Sequence, residues 1–272
     1  MIELDKEYLY LPKEFWKQHN QCERLINQIE SFLTDSSFSD LRISKIELSS
    51  EHEIKKDEHI LDFLLRTNRV DEHDKFVTNI LIDALIIDTC YFLQEALLSS
   101  KKQRLTVTFA LLRKPFIYHL LVFLRIMFEE KFIEKFNSQD LFDSTRLDDG
   151  DKRVLIRLSL PCLMAAKSMT EDDIFNFIFN QENQDSIINI SNKALHLSTT
   201  RNKNNKTEIQ NMNMIFANPN DIKNLWSYFY RRLPILLLYY LEIIEALVFS
   251  RIDLPAEKYK QRIEERLDIL SK

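Results

Sequence analysis

A single glycine, Gly150, occurs in the 272 residues of this chain, and no other feature limits its fold so tightly. Glycine alone takes positive φ without steric cost, and hairpins, bulges and phosphate-cradling loops depend on it. Sheet-rich folds, the dinucleotide fingerprint and the P-loop each need several glycines at fixed spacing, so those classes are excluded or strongly disfavoured. Alanine and proline are also scarce while Ile, Lys, Asn and Phe abound, as an AT-rich coding sequence would produce. The exclusion holds under either cause, and it leaves an all-α chain, a multi-helix bundle.

A content of 45% apolar residues is ample for a packed core, and residues 1–272 read as one helical domain. The polar loop 137–151 is the candidate internal boundary, with Gly150 expected at a turn between two helical groups. The 19 Phe and 9 Tyr are expected to fill seams between helices. A net charge of -5 argues against binding to bulk DNA, so contact with nucleic acid would need a local basic patch. Cys22, Cys90 and Cys162 stand far apart with no zinc-ligand spacing, which suggests small core residues in a reducing cytosol, no metal and no cofactor. The acidic start lacks a secretory signal, and the most lipid-like stretch, 233–249, carries Glu242 and Glu245. The expectation is a cytoplasmic protein with no membrane partner.

Apolar spacing predicts helices over 12–33, 57–67, 71–99, 110–136 and 151–167, with Pro115 interrupting or starting the fourth. Residues 41–48 alternate apolar and polar and form the one candidate for a short extended segment. Thr170-Glu171-Asp172-Asp173 is a capping-box signal ahead of Ile174. Further helices are predicted over 184–197, from Pro219 to about Ser250 with Pro234 as a candidate kink, and over 256–272. The last should turn Tyr259, Ile263, Leu267 and Leu270 inward.

One segment suggests chemistry: Leu111-Leu112-Arg113-Lys114-Pro115-Phe116-Ile117-Tyr118-His119. Arg113 and His119 enclose five residues, and the segment resembles the R-x(4 to 6)-H motif of the HEPN superfamily, compact helical bundles that include metal-independent endoribonucleases of toxin and antiviral systems. Lys114 stands where that family usually places Asn, Asp or His. In such a site an imidazole exchanges a proton with the ribose 2′-OH or the leaving 5′-oxygen, while a guanidinium stabilises the scissile phosphate. The resemblance implies Arg113 as the phosphate group, His119 as general acid or base, RNA as the substrate and a homodimer. Six positions apart on a straight helix lie roughly 120° from each other, so the two converge only if the helix begins or kinks near Pro115. The structural alternative pairs Arg113 with Asp83, Asp88 or Glu95 and hydrogen-bonds a neutral His119 at a helix seam.

A second candidate is His196 with the basic loop after it, in which Arg201 and Lys203 are expected contacts to RNA or phosphate. Aromatic interleaving is absent there, and the alternative is a solvated loop. Acids inside the apolar helices, Asp88, Glu95, Glu242 and Glu245, lack the Glu-x-x-His pairs of di-iron bundles. Ion pairing with Arg113, Arg125, Arg231 or Arg232 is expected instead. Two functions follow as expectations: a metal-independent endoribonuclease of a bacterial toxin or antiphage system, or a non-enzymatic helical module that docks a protein partner or itself.

Overall fold

The computed structural model describes residues 5–43, 46, 53–138, 142–199, 206–215 and 217–271. Among them there is no strand, only an isolated antiparallel bridge between Asp5 and Leu9, and the protein is an all-α multi-helix bundle. In chain order the helices are α1 (Trp16–Thr34), α2 (Ser39–Arg42), α3 (Ile60–Arg66), α4 (Val70–Lys101), α5 (Leu105–Arg113), α6 (Leu120–Phe128), α7 (Phe132–Ser138), α8 (Asp149–Ser159), α9 (Glu171–Ile178), α10 (Ile187–Leu195), α11 (Pro219–Phe249) and α12 (Ala256–Ser271). A π-helical turn, Lys114–His119, joins α5 to α6.

The axis of the core is α11. Its start is set by Asn218, whose side chain accepts from the backbone N–H of Asp221 while Asp221 returns the bond, with Pro219 in the first turn. Every residue from Leu236 to Glu245 is buried, so the lipid-like run of the sequence is interior, and the helix continues through Pro234. On one side α1 lies against α11 and α4; α4 then packs on α5, and α5 on α10. On the other side α6 contacts α11 and α8, and α8 contacts α9. A single apolar cluster runs from Leu11 to Ile269. The capping box at Thr170 and Asp173 starts α9 as the sequence predicts.

Several expectations need correction. Leu41 and Arg42 close the short helix α2 and do not start an extended segment; Ser44, Lys45, Glu47 and Leu48 lie outside the described residues. Gly150 is in the first turn of α8 with no positive φ, because Asp148 caps that helix by accepting from the N–H of Asp151. The predicted helix over 151–167 ends at Ser159, where Pro161 withholds an N–H and a short 3-10 turn takes over. With no glycine at these helix ends, other residues take the left-handed positions that terminate helices. Asn68 (φ 57°) follows α3 and Gln103 (φ 60°) follows α4. Both close a Schellman pattern: the N–H of Arg69 reaches Leu64 O (2.8 Å) and that of Arg104 reaches Ser99 O (2.9 Å).

The largest departure is in α12. Its buried side chains are Arg262, Arg266 and Ile269, whereas Leu267, predicted inward, is exposed. The face that a hydrophobic reading assigns to leucine is occupied by two guanidinium groups, because α11 presents acids to it. Arg262 Nε lies 2.6 Å from Glu245, and Arg266 lies 2.9 Å from Glu242 and 2.5 Å from Glu245. Glu242 also accepts the backbone N–H groups of Met164, Ala165 and Ala166 at 2.8–3.1 Å. These partners replace the expected pairing of Glu242 and Glu245 with Arg113, Arg125, Arg231 or Arg232; Arg125 pairs instead with Glu129 in the next turn.

Candidate functional site

The R-x(5)-H segment lies where α5 passes into α6. Pro115 supplies no N–H and its ring crowds the carbonyl four residues back, so the ladder cannot continue with α-helical register. The chain responds with a π turn, in which the N–H of Leu120 bonds to the carbonyl of Pro115. Arg113 and His119 therefore stand on either side of a backbone irregularity, yet they face different neighbours.

Arg113 is half-buried and turns toward α10. Its Nε donates to the Tyr118 hydroxyl at 2.9 Å, a second donor reaches the Asn192 side-chain oxygen, and its guanidinium lies 5.5 Å from the Tyr118 ring centre. Neither partner is an acid, which corrects the expected pairing with Asp83, Asp88 or Glu95. Among the described residues, Arg113 has no ion-pair partner.

His119 turns the other way, toward α4 and α11, and is 5% exposed. Nδ1 lies 2.9 Å from Thr89 Oγ1, Thr89 Oγ1 lies 2.9 Å from the Tyr240 hydroxyl, and Nε2 lies 3.1 Å from Asp88 Oδ2. For a neutral ring, Nε2–H donates to Asp88, which also holds Lys114 at 2.6 Å, and Nδ1 then accepts from Thr89, whose oxygen accepts from Tyr240. The ring is neutral in this arrangement. Burial pushes its pKa down to about 4, Asp88 opposes the shift and Lys114 adds to it. Both ring nitrogens are occupied, so a 2′-hydroxyl reaches neither of them unless Nε2 leaves Asp88.

The same device recurs at His19, a residue that sequence reasoning passes over. Its Nδ1 lies 2.8 Å from the Tyr230 hydroxyl, which lies 3.0 Å from Ser100 Oγ, and its Nε2 lies 3.1 Å from Glu23. Burial pushes this pKa down to about 4 as well. Two buried histidines thus connect to two α11 tyrosines, His119 inside the motif through the Thr89 hydroxyl and His19 outside it directly. The only signal in the sequence is a histidine among apolar helical positions.

His196 is exposed and caps the end of α10, its N–H bonded to the Asn192 carbonyl. Four residues of helix rise about 6 Å. The structure therefore places His196 one turn beyond the amide that holds Arg113, and associates Arg113 with α10 rather than with His119. Past His196 the chain is drawn together: the N–H of Thr199 donates to Thr207 Oγ1 at 2.7 Å, and Asn213 Nδ2 donates to the His196 carbonyl at 2.8 Å. Arg201 and Lys203, the expected backbone contacts, lie outside the described residues. Beside this neck, α10, residues 206–214 and α11 enclose a polar cleft of about 690 Å³ that Lys193, Lys206 and Asn213 help to line.

Among the described residues no three His, Cys, Asp or Glu side chains stand close enough to hold a metal ion. Cys22 and Cys90 are buried, and burial raises both thiols. Two helical stretches, Val70–Lys101 and Leu105–Phe128, are long and apolar enough to cross a bilayer by length and composition. Comparison of the chain with known protein families, characterised proteins and solved structures returns no match.

Proposed function

We propose that this chain is a helical self-associating module whose interface is the outward face of α4, with a second copy of the chain as its partner. The observation that carries this reading is how much apolar surface α4 leaves uncovered. The bundle buries 67% of the most apolar window of Leu105–Phe128 but only 39% of that of α4. The core accounts for the first and not the second.

Val77, Ile80, Ala84, Ile87 and Tyr91 recur at alternating intervals of three and four along that face, the spacing of a coiled-coil seam. Ile80 is 53% and Tyr91 64% exposed. A second copy fits better than another partner because the stripe complements itself when antiparallel. Ala84, near the midpoint, lets the backbones approach, Ile80 meets Tyr91, and the acidic first turn (Asp71, Glu72) faces the basic end (Lys101, Lys102). Sedimentation across a concentration series should show a reversible dimer, and Ile80→Lys with Tyr91→Lys should give a monomer of unchanged helicity. A wild-type protein that stays monomeric at every soluble concentration overturns the reading. So does wild-type flotation with lipid vesicles that the double variant loses.

A second reading is metal-independent RNA cleavage, which Arg113 favours. A half-buried guanidinium whose partners are a phenol and an amide keeps its charge for a phosphate. Here Arg113 stabilises the phosphate, His119 serves as acid or base once Nε2 leaves Asp88, and His196 contacts the backbone. The toxin or antiphage setting comes from the resemblance to HEPN proteins. Cleavage of RNA in EDTA that Arg113→Ala and His119→Ala both abolish, with folding intact, supports this reading. No cleavage by the wild-type protein ends it.

A further inference from the structure

A cavity of about 440 Å³ opens between α1 and the end of α4. Ile26, Leu97 and Leu98 form its apolar side, and Glu23 and Lys101, flanked by the amides of Asn27 and Gln94, form its polar one. The polar side is under-bonded. Lys101 has a side chain only 16% exposed, yet among the described residues the one acceptor that reaches its ammonium is Glu23 Oε1 at 3.5 Å. That distance is long for a charge-assisted bond, and it leaves the remaining N–H donors of the ammonium unused.

More exposed lysines of this protein hold their acids closer. Lys114 lies 2.6 Å from Asp88 and Lys258 lies 2.6 Å from Asp35, although both side chains are better hydrated than that of Lys101. Glu23 does not close on Lys101 in this way because its Oε1 also accepts from His19 Nε2 at 3.1 Å, which ties the carboxylate to α1. Its other oxygen, Oε2, takes no hydrogen bond among the described residues, and neither do the side-chain amides of Asn27 and Gln94. A loose ion pair, a free carboxylate oxygen and two free amides thus line one small cavity with an apolar side.

We infer that this cavity binds a free α-amino acid with an apolar side chain. Its carboxylate accepts from Lys101, its ammonium donates to Glu23 Oε2, and its side chain lies against Ile26, Leu97 and Leu98. The two charges of such a ligand are attached to one carbon, so with Glu23 and Lys101 they form a ring of four charges alternating in sign. A carboxylate alone would face Glu23, an amine alone would face Lys101, and the end of a peptide brings only one of the two charges. None of the lining residues belongs to the α4 stripe or to the segment from Arg113 to His119, so the site is tested apart from both.

Thermal unfolding of the full chain at constant ionic strength, with L-leucine as the probe, is the measurement. L-Leucine should raise the midpoint saturably, as a ligand that binds the folded state does. Two analogues each remove one charge: 4-methylpentanoate lacks the ammonium and 3-methylbutylamine lacks the carboxylate. Each should bind about tenfold more weakly or worse, because a charged group of the site is then left without its partner. Glycine, which lacks the side chain, should give no saturable response. Lys101→Met and Glu23→Gln should each abolish the leucine response, and the amide of the second still accepts from His19, so the α1 anchor is retained. The analogue series uses the unaltered protein and does not depend on either variant folding. A leucine response that is absent or does not saturate, an equal response to either single-charge analogue, or a full response in both folded variants overturns the site.

Discussion

Arg266 Nη1 lies 2.9 Å from Glu242 Oε1 with neither side chain reaching solvent, and this bond joins the last helix to the axis of the core. Through Glu242 it also connects to three backbone N–H groups of the 164–166 turn, so one carboxylate organises α11, α12 and the chain between α8 and α9. Arg266→Met keeps the aliphatic volume but leaves Glu242 and Glu245 with less compensation in a dry site. Removing one partner of a buried ion pair costs about 3–5 kcal/mol. Urea unfolding of the variant should show a loss of that size. A loss under 1 kcal/mol would mean that water enters the cluster.

The two buried histidines make stability depend on pH. The folded pKa of His119 is near 4 against an ordinary value of 6.5, and that of His19 is displaced in the same direction. A histidine held neutral binds fewer protons folded than unfolded. Its contribution is therefore full above pH 6.5 and lost as pH falls from there toward 4. For His119 alone the difference amounts to about 3 kcal/mol. Chemical denaturation at pH 7.5, 5.5 and 4.5 should show a progressive loss, and His119→Asn should flatten part of the slope. A stability that stays level across this range contradicts the neutral assignment.

Fold class was legible because periodicity and the lack of glycine point the same way, and the helix starts after Thr170 and at Pro219 were legible because capping and first-turn proline are local chemistry. The pairing of Arg266 with Glu242 was not. It joins positions 24 apart on two helices, and nothing within a helical turn of either marks the other as its partner. The direction of α12 was misread for the same reason: Leu267 looks like a core residue until α11 is known to present acids. Arg113 and His119 were found by spacing, but spacing along a chain does not say which neighbour a side chain meets. A π turn forced by Pro115 separates them, one toward Asn192 and the other toward Thr89.

The shortage of glycine leaves a measurable trace at the helix ends. Gln103 holds φ at 60° directly after α4, a conformation that costs an L-residue with a long side chain about 1–2 kcal/mol. Glycine would remove that cost and give back part of it as unfolded-state entropy. Gln103→Gly should therefore stabilise the protein by about 0.5–1 kcal/mol, and Asn68→Gly by less, since asparagine tolerates the region. Destabilisation by Gln103→Gly would show that its side chain makes a contact outweighing the backbone strain.

The hydroxyl chain from Tyr240 through Thr89 to His119 predicts a specific non-additivity. Thr89→Val keeps the shape but deprives both neighbours, leaving the Tyr240 hydroxyl without an acceptor and His119 Nδ1 without a donor in a fully buried site. Unsatisfied groups of this kind cost about 1–3 kcal/mol each. Tyr240→Phe removes only the first donor, and Thr89 still reaches His119, so its cost should be about 1 kcal/mol. In the double variant the stranded tyrosine hydroxyl is gone, and the combined loss should fall short of the sum by about 1 kcal/mol. A double-mutant cycle in urea measures this directly. Simple additivity would mean that Tyr240 finds another acceptor and that Thr89 does not relay its bond to the histidine.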